Sequence, residues 1–260
     1  MLEIRNISKT FDIGGVNEKR VFSDFSMNVS EGEFVTIIGS NGACKSTLLN
    51  AISGVFKVDA GSILLDGIDI THMKEHIRSR FIGRMFQNPM MGTAPEMSIE
   101  ENLYLASDRS KWFGTINSSA RNEFRERLAM LGMGLEDRLK SPVGLLSGGQ
   151  RQALTLLMAT YKRPKLLLLD EHTAALDPAT AEKVLDITEK IVNGNRITCL
   201  MITHNMQSAL KTGSRTVMMD NGRIVYDVSG TEREKVTVAK LLECFRSRVG
   251  RSLNNDRMML

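Results

Sequence analysis

Phe34-Val35-Thr36-Ile37-Ile38-Gly39-Ser40-Asn41-Gly42-Ala43-Cys44-Lys45-Ser46-Thr47-Leu48-Leu49 is the stretch that decides the fold. Phe34 to Ile38 is a short apolar, β-rich run and predicts a strand. Gly39 to Thr47 follows at once, after which Leu48, Leu49, Ala51 and Ile52 recur at helical spacing. A strand that ends in a tight glycine loop and opens a helix aims several backbone N–H groups, with the positive end of the helix dipole, at one point. That point favours a phosphate. Lys45 reaches the β- and γ-phosphates of a nucleotide as a point charge, and the Ser46 hydroxyl is spaced to bind Mg²⁺. Against the pattern G-x-x-x-x-G-K-[ST], Gly39, Lys45 and Ser46 match, while Cys44 stands where the second glycine belongs. Backbone at that position approaches the phosphates closely, so the added Cβ and sulfur are expected to weaken nucleotide binding.

Outward from this loop the chain reads as one α/β unit. Before it, Leu2, Ile4 and Ile7, then Val21, Phe25, Met27 and Val29, alternate as antiparallel strands that end at the turn Ser30-Glu31-Gly32-Glu33. After it, a second strand group is expected at Ser62–Asp66 and Phe81–Gln87, followed by a Met-rich irregular segment, 88–97. Helices are expected near Ile99–Ala106 and Ser119–Leu131. From Leu146 the pattern becomes helix, strand, helix, strand over Gly148–Tyr161, Lys165–Asp170, Pro178–Val192 and Ile197–Thr203, which implies a parallel sheet. The stretch from Arg248 to Leu260 is polar and weakly patterned, and a frayed tail is expected there.

A chain of 260 residues buries roughly 70–75% of its unfolded surface and needs no staples. Hydrophobic residues make up 42% and charged residues 25%, with only 5 prolines, which excludes disordered and fibrous classes. The net charge of +4 is scattered along the chain, so no nucleic-acid partner is expected. No apolar stretch approaches the ~20 residues that cross a bilayer, and the first residues read as a strand and not a leader. A chain that stays on the cytoplasmic side is the expectation. Cys44, Cys199 and Cys244 are widely spaced without zinc-type clustering, which suits a reduced compartment. Cys199, inside an apolar run, is expected to be a buried, inert thiol.

Two further segments carry chemistry. Leu166-Leu167-Leu168-Leu169-Asp170-Glu171 delivers two carboxylates at the C-terminal end of an apolar strand, where ligands gather in parallel sheets. Strand alternation sends them to opposite sides, so that Asp170 holds Mg²⁺ and Glu171 polarises the attacking water. Leu146-Ser147-Gly148-Gly149-Gln150 opens a helix with Ser147 at its N-cap and two glycines that let the backbone approach an anion.

In order and spacing these segments resemble the ATP-binding cassette family, from about Leu2 to Phe245, and Leu146–Gln150 reproduces its signature in full. The resemblance implies an α/β fold: a P-loop NTPase, RecA-like core with an antiparallel β subdomain and a helical signature subdomain. It implies a single nucleotide-binding domain over 1–247, with a helical subdomain inserted at about 88–162 and a polar tail over 248–260. It implies ATP and Mg²⁺ as ligands, with the nucleotide on Gly39, Ser40, Asn41, Gly42, Ala43, Cys44, Lys45, Ser46 and Thr47, and adenine stacked on Phe11. Gln87 senses Mg²⁺ and the γ-phosphate alongside Ser46 and Asp170, Glu171 is the catalytic base, and His204 contacts the γ-phosphate. Ser147, Gly148, Gly149 and Gln150 of one subunit complete the phosphate site of the other in a head-to-tail homodimer, and Asp177, in Ala174-Ala175-Leu176-Asp177, communicates between subunits. His172 stands where the family often has proline, and no catalysis is attached to it.

The implied role is the ATP-hydrolysing subunit of an importer-like transporter of a small organic solute, peripheral to the cytoplasmic face of the inner membrane. Its partners are a membrane permease, met through 88–97, and indirectly a solute-binding protein. The methionines of 88–97 suit a groove that receives a partner helix. Two other readings stand beside it. A soluble cassette ATPase acting on DNA or the ribosome would carry coiled-coil insertions, zinc modules or a second cassette. A degenerate subunit rests on Cys44 alone.

Overall fold

A computed structural model describes residues 1–107 and 116–249. In chain order, β1 (Leu2–Phe11) and β2 (Lys19–Val29) lead into β3 (Phe34–Gly39) and α1 (Lys45–Ser53). β4 (Ala60–Leu65), β5 (Ile68–Asp69), α2 (Glu75–Arg78) and β6 (Ile82–Met85) follow. A 3₁₀ turn at Pro89–Gly92 precedes α3 (Ile99–Ala106), α4 (Ser118–Ala129) and α5 (Gly148–Thr160). The remainder is β7 (Leu166–Asp170), α6 (Pro178–Asn195), β8 (Thr198–Ile202), α7 (Met206–Lys211), β9 (Arg215–Asp220), β10 (Arg223–Ser229), α8 (Gly230–Glu234) and α9 (Val238–Val249).

Two sheets form. The first has the order β2-β1-β4-β5 and is antiparallel throughout. The second has the order β10-β9-β3-β8-β7-β6, parallel from β9 to β6, with β10 antiparallel at its edge. The expected second strand group is therefore divided: β4 joins the antiparallel sheet, whereas β6 is the edge of the parallel one. Each strand found the neighbour whose buried face matched its own, a choice that adjacency in sequence does not dictate.

Strand alternation makes the two main cores. Leu166 and Leu168 of β7, Leu200 and Ile202 of β8, and Val35 and Ile37 of β3 face one way and pack with α1 and the antiparallel sheet. Leu167, Leu169, Cys199 and Met201 face the other way, under α5 and the residues of α3 and α4 that cover it. Both faces of these strands are covered, which is why they read as unbroken apolar runs. A third cluster joins Ile38 and Met218 to α7 and to Leu241 and Phe245 of α9.

Helix ends are set locally. Ser98 and Glu101 form a capping box on α3, and Ser147 and Gln150 form one on α5. α1 closes on Gly54 at φ +86°, where a Cβ would lie 2.7 Å from Arg78 Nε. Arg78 is buried there and donates to the carbonyls of Ala51, Ile52, Thr71 and Met73 at 2.8–2.9 Å. It caps the negative end of α1 with a positive charge and ties that end to the segment that follows β5. The polar tail expected from 248 begins inside α9, which runs to Val249, and from 250 lies outside the described residues.

Candidate functional site

The strand-loop-helix unit predicted at Gly39–Thr47 is present between β3 and α1. Gly39 must lack a side chain, since a Cβ there would meet the Met219 carbonyl oxygen at 2.2 Å. Ala43 donates its amide to the Ser40 carbonyl at 3.1 Å, and the Lys45 ammonium donates to the carbonyls of Gly39 and Ser40 at 2.7 and 3.0 Å. Lys45 is buried, while Asn41, Gly42 and Ser46 are exposed.

Cys44 is the N-cap of α1, in the left-handed region at φ +69°. A glycine adopts that conformation freely, whereas an L side chain is strained in it. The thiol donates to the Gly42 carbonyl at 3.3 Å and packs against the first core, and burial pushes its pKa up.

Beside the loop, the Ser46 hydroxyl donates to Asp170 Oδ1 at 3.0 Å. Burial, reinforced by the neighbouring charge of Glu171, raises the Asp170 pKa against the lowering effect of that bond. Glu171 does not leave by strand alternation, as the sequence suggested. It turns out of β7 at φ +49°, donates its amide to the Ile202 carbonyl at 3.1 Å, and pairs its carboxylate with His204 Nε2. The non-glycine left-handed conformation is a strain of about 1–3 kcal/mol, of the kind stored at working sites. A serine hydroxyl beside a buried carboxylate is a hard-oxygen pair that suits Mg²⁺, and the adjoining ammonium suits phosphate oxygens, so these residues fit a magnesium nucleotide.

Glu171, His204, Gln87 and Asn41 line one open groove of about 1090 Å³. The groove continues along α6 and α7 past Glu182, Asp186 and Glu189. Phe11 lies at the end of β1, half-buried, with its ring edge-on to Phe56 at 5.1 Å and the Lys9 ammonium 5.4 Å from its centroid. Ser147, Gly148, Gly149 and Gln150 do not line the groove: they form the first turn of α5 and its cap. Asp177 caps α6 through the Thr180 amide at 3.1 Å. His172 is buried, its Nε2 3.1 Å from the Thr188 hydroxyl, and burial lowers its pKa to about 4. Cys199 is buried as expected.

Two supports escaped the sequence reading. Asp220 accepts a hydrogen bond from the Ser40 hydroxyl at 3.2 Å, and Gly222 donates its amide to the Ala43 carbonyl at 3.3 Å, so the β9–β10 turn braces the phosphate loop. The Asn221-Gly222 pair was the available hairpin signal. Arg84, on the strand that leads to Gln87, donates to Ser53 Oγ at 2.8 Å and Asn50 Oδ1 at 2.5 Å at the far end of α1, and its charge is felt by Asp170.

A family model described as ABC transporter matches residues 22–174. The chain belongs to the ABC transporter family. This ABC ATPase is 44% identical over 247 residues to the tyrosine transport ATP-binding protein of Clostridioides difficile, covering 94% of this chain and 98% of that one. It is 34% identical over 235 residues to the phosphonates import ATP-binding protein PhnC of Treponema denticola, covering 87% and 89%. Among solved structures it matches the cassette MJ1267 in its ADP conformation, with a TM-score of 0.79 and 27% identity over 96% of this chain and 99% of that one. It also matches the dimeric post-hydrolysis state of the cassette MJ0796 bound to ADP and Pi, with a TM-score of 0.75 and 27% identity over 88% and 98%. The fold is the ABC ATPase fold, and the chain is an importer-like, ATP-hydrolysing subunit that binds nucleotide and powers solute transport. No helix among the described residues is long and apolar enough to cross a membrane.

Proposed function

We propose that residues 1–247 act as one nucleotide-binding domain, its helical subdomain inserted at about 88–162, with an altered phosphate loop, driving import of a small organic solute. The observation that carries this reading is the Ser46 hydroxyl, next to Lys45 on the phosphate loop, bonded to Asp170, whose neighbour Glu171 pairs with His204 in the groove. Gly39 to Thr47 hold the phosphates through backbone amides and the Lys45 ammonium. Phe11 stacks its ring on adenine. Ser46, Asp170 and Gln87 hold Mg²⁺, which when bound offsets the charge on the β- and γ-phosphate oxygens.

Glu171 accepts a proton from the attacking water as its oxygen bonds to the γ-phosphorus. The bond from that phosphorus to the bridging oxygen breaks, and ADP leaves with the electron pair. His204, released from Glu171, donates to a γ-phosphate oxygen. Ser147 to Gln150 of the partner cover the opposite side of the triphosphate, so binding favours a closed dimer and hydrolysis removes that bias. Asp177 meets the partner at the same interface.

The exposed Met90 and Met91 form part of the surface, 88–97, that receives the permease, and a solute-binding protein supplies the cargo. The chain is peripheral to the inner membrane's cytoplasmic face. The solutes in the relatives' names, tyrosine, phosphonates, putrescine and methionine, support a small organic cargo. Cys44 raises the KM for ATP without removing turnover. Glu171→Gln tests the reading: steady-state phosphate release should vanish while the variant still binds Mg·ATP, and a variant that keeps parental turnover would show that Glu171 is not the base.

A further inference from the structure

Both glycines of the signature turn are pressed against the segment that follows the catalytic strand in the same chain. A Cβ on Gly148 would lie 3.1 Å from Leu176 Cδ2. A Cβ on Gly149 would lie 2.1 Å from the Thr180 methyl, Cγ2, far inside van der Waals contact. Thr180 belongs to the first turn of α6, which Asp177 caps. The Asp177 carboxylate accepts from the Thr180 amide at 3.1 Å.

Thr180 therefore holds two neighbours at once, Asp177 through its backbone amide and Gly149 through its methyl. The β-branched Thr180 is stiff at χ1, so a shift of Asp177 and the first turn of α6 carries the methyl against the signature turn. The glycine at 149 is required by this contact within one subunit, beside any closeness to phosphate.

We propose that Thr180 is a positioning residue that locks the Asp177 loop to the tip of the signature helix, so that the two segments a subunit presents to its partner move as one body. This rests on the proposed roles of Asp177 and Ser147–Gln150 at the dimer interface. ATP gripped by the signature turn of a subunit then also fixes the loop by which that subunit reports to the other site.

A double-mutant cycle on Mg·ATP hydrolysis tests it. Gly149→Ala alone should lower kcat by about a hundredfold, the scale of an ångström-size misplacement. Thr180→Ser, which keeps the hydroxyl and removes the methyl, should lower kcat by about fivefold with the KM for ATP within about twofold. Gly149→Ala with Thr180→Ser should recover to the Thr180→Ser level. Penalties that multiply, or a Gly149→Ala protein with parental kcat, overturn the proposal. Thr180→Val, which keeps a methyl against Gly149 and the amide on Asp177, needs no glycine variant to fold: it should keep kcat within about twofold of the parent, and a fall to the Thr180→Ser level overturns the lock. Parental protein that fails to hydrolyse Mg·ATP sinks the functional reading instead, and is told apart from failure of the cycle.

Discussion

At the scale of single residues, Cys44 and His172 carry measurable costs. Cys44 holds a left-handed backbone that glycine takes without strain, at a cost of about 1 kcal/mol. Cys44→Gly should raise the melting temperature by about 2–4 °C and lower the KM for ATP, both read on the purified protein. His172 is buried against Thr188 and stays neutral down to about pH 4, whereas in the unfolded chain it takes up its proton near its ordinary value of 6.5. The unfolded state thus binds more protons between pH 6.5 and 4, so stability falls as pH falls through that window, by an amount on the order of 3 kcal/mol. Denaturant titrations of His172→Gln should show a smaller slope of stability against pH over that interval than the parent.

At the scale of elements, α1 is fixed at both ends, by the phosphate loop at its start and by Arg78 at its finish. Arg78→Met removes the donor from four carbonyls and should cost about 3 kcal/mol or more, read as a shift in the urea midpoint. Nothing in the local sequence distinguishes Arg78 from a solvated arginine, because its partners come from two separate stretches of chain, 51–52 and 71–73. The strand-loop-helix around Lys45, the apolar β7 and the Ser147 cap were legible because each is specified within a dozen residues. The brace of Asp220 on Ser40 and the pairing of β4 with β1 were not, since they depend on contacts between residues distant in the chain. Glu171 was identified as a site residue, yet its left-handed turn was invisible, because a glutamate in that conformation follows from the surrounding fold and not from its own preference.

At the scale of the whole molecule, cassette assembly predicts a ligand-dependent change in size. The Glu171→Gln protein should sediment as a dimer with Mg·ATP and as a monomer with Mg·ADP, because the γ-phosphate has the greater affinity for the closed form. A single species under both conditions would count against closure by ATP. The brace at the β9–β10 turn has a further effect on how the molecule comes apart. A Cβ at Gly222 would lie 1.8 Å from the Val21 carbonyl oxygen, so the antiparallel sheet, the turn and the phosphate loop touch at backbone distance. Amide protons in β1, β3 and β9 should exchange with deuterium only on global opening, while those of α4, whose polar surface covers α5 from outside, should exchange through local fraying. Heat or mild denaturant would then strip that outer helix first and leave the nucleotide cradle standing.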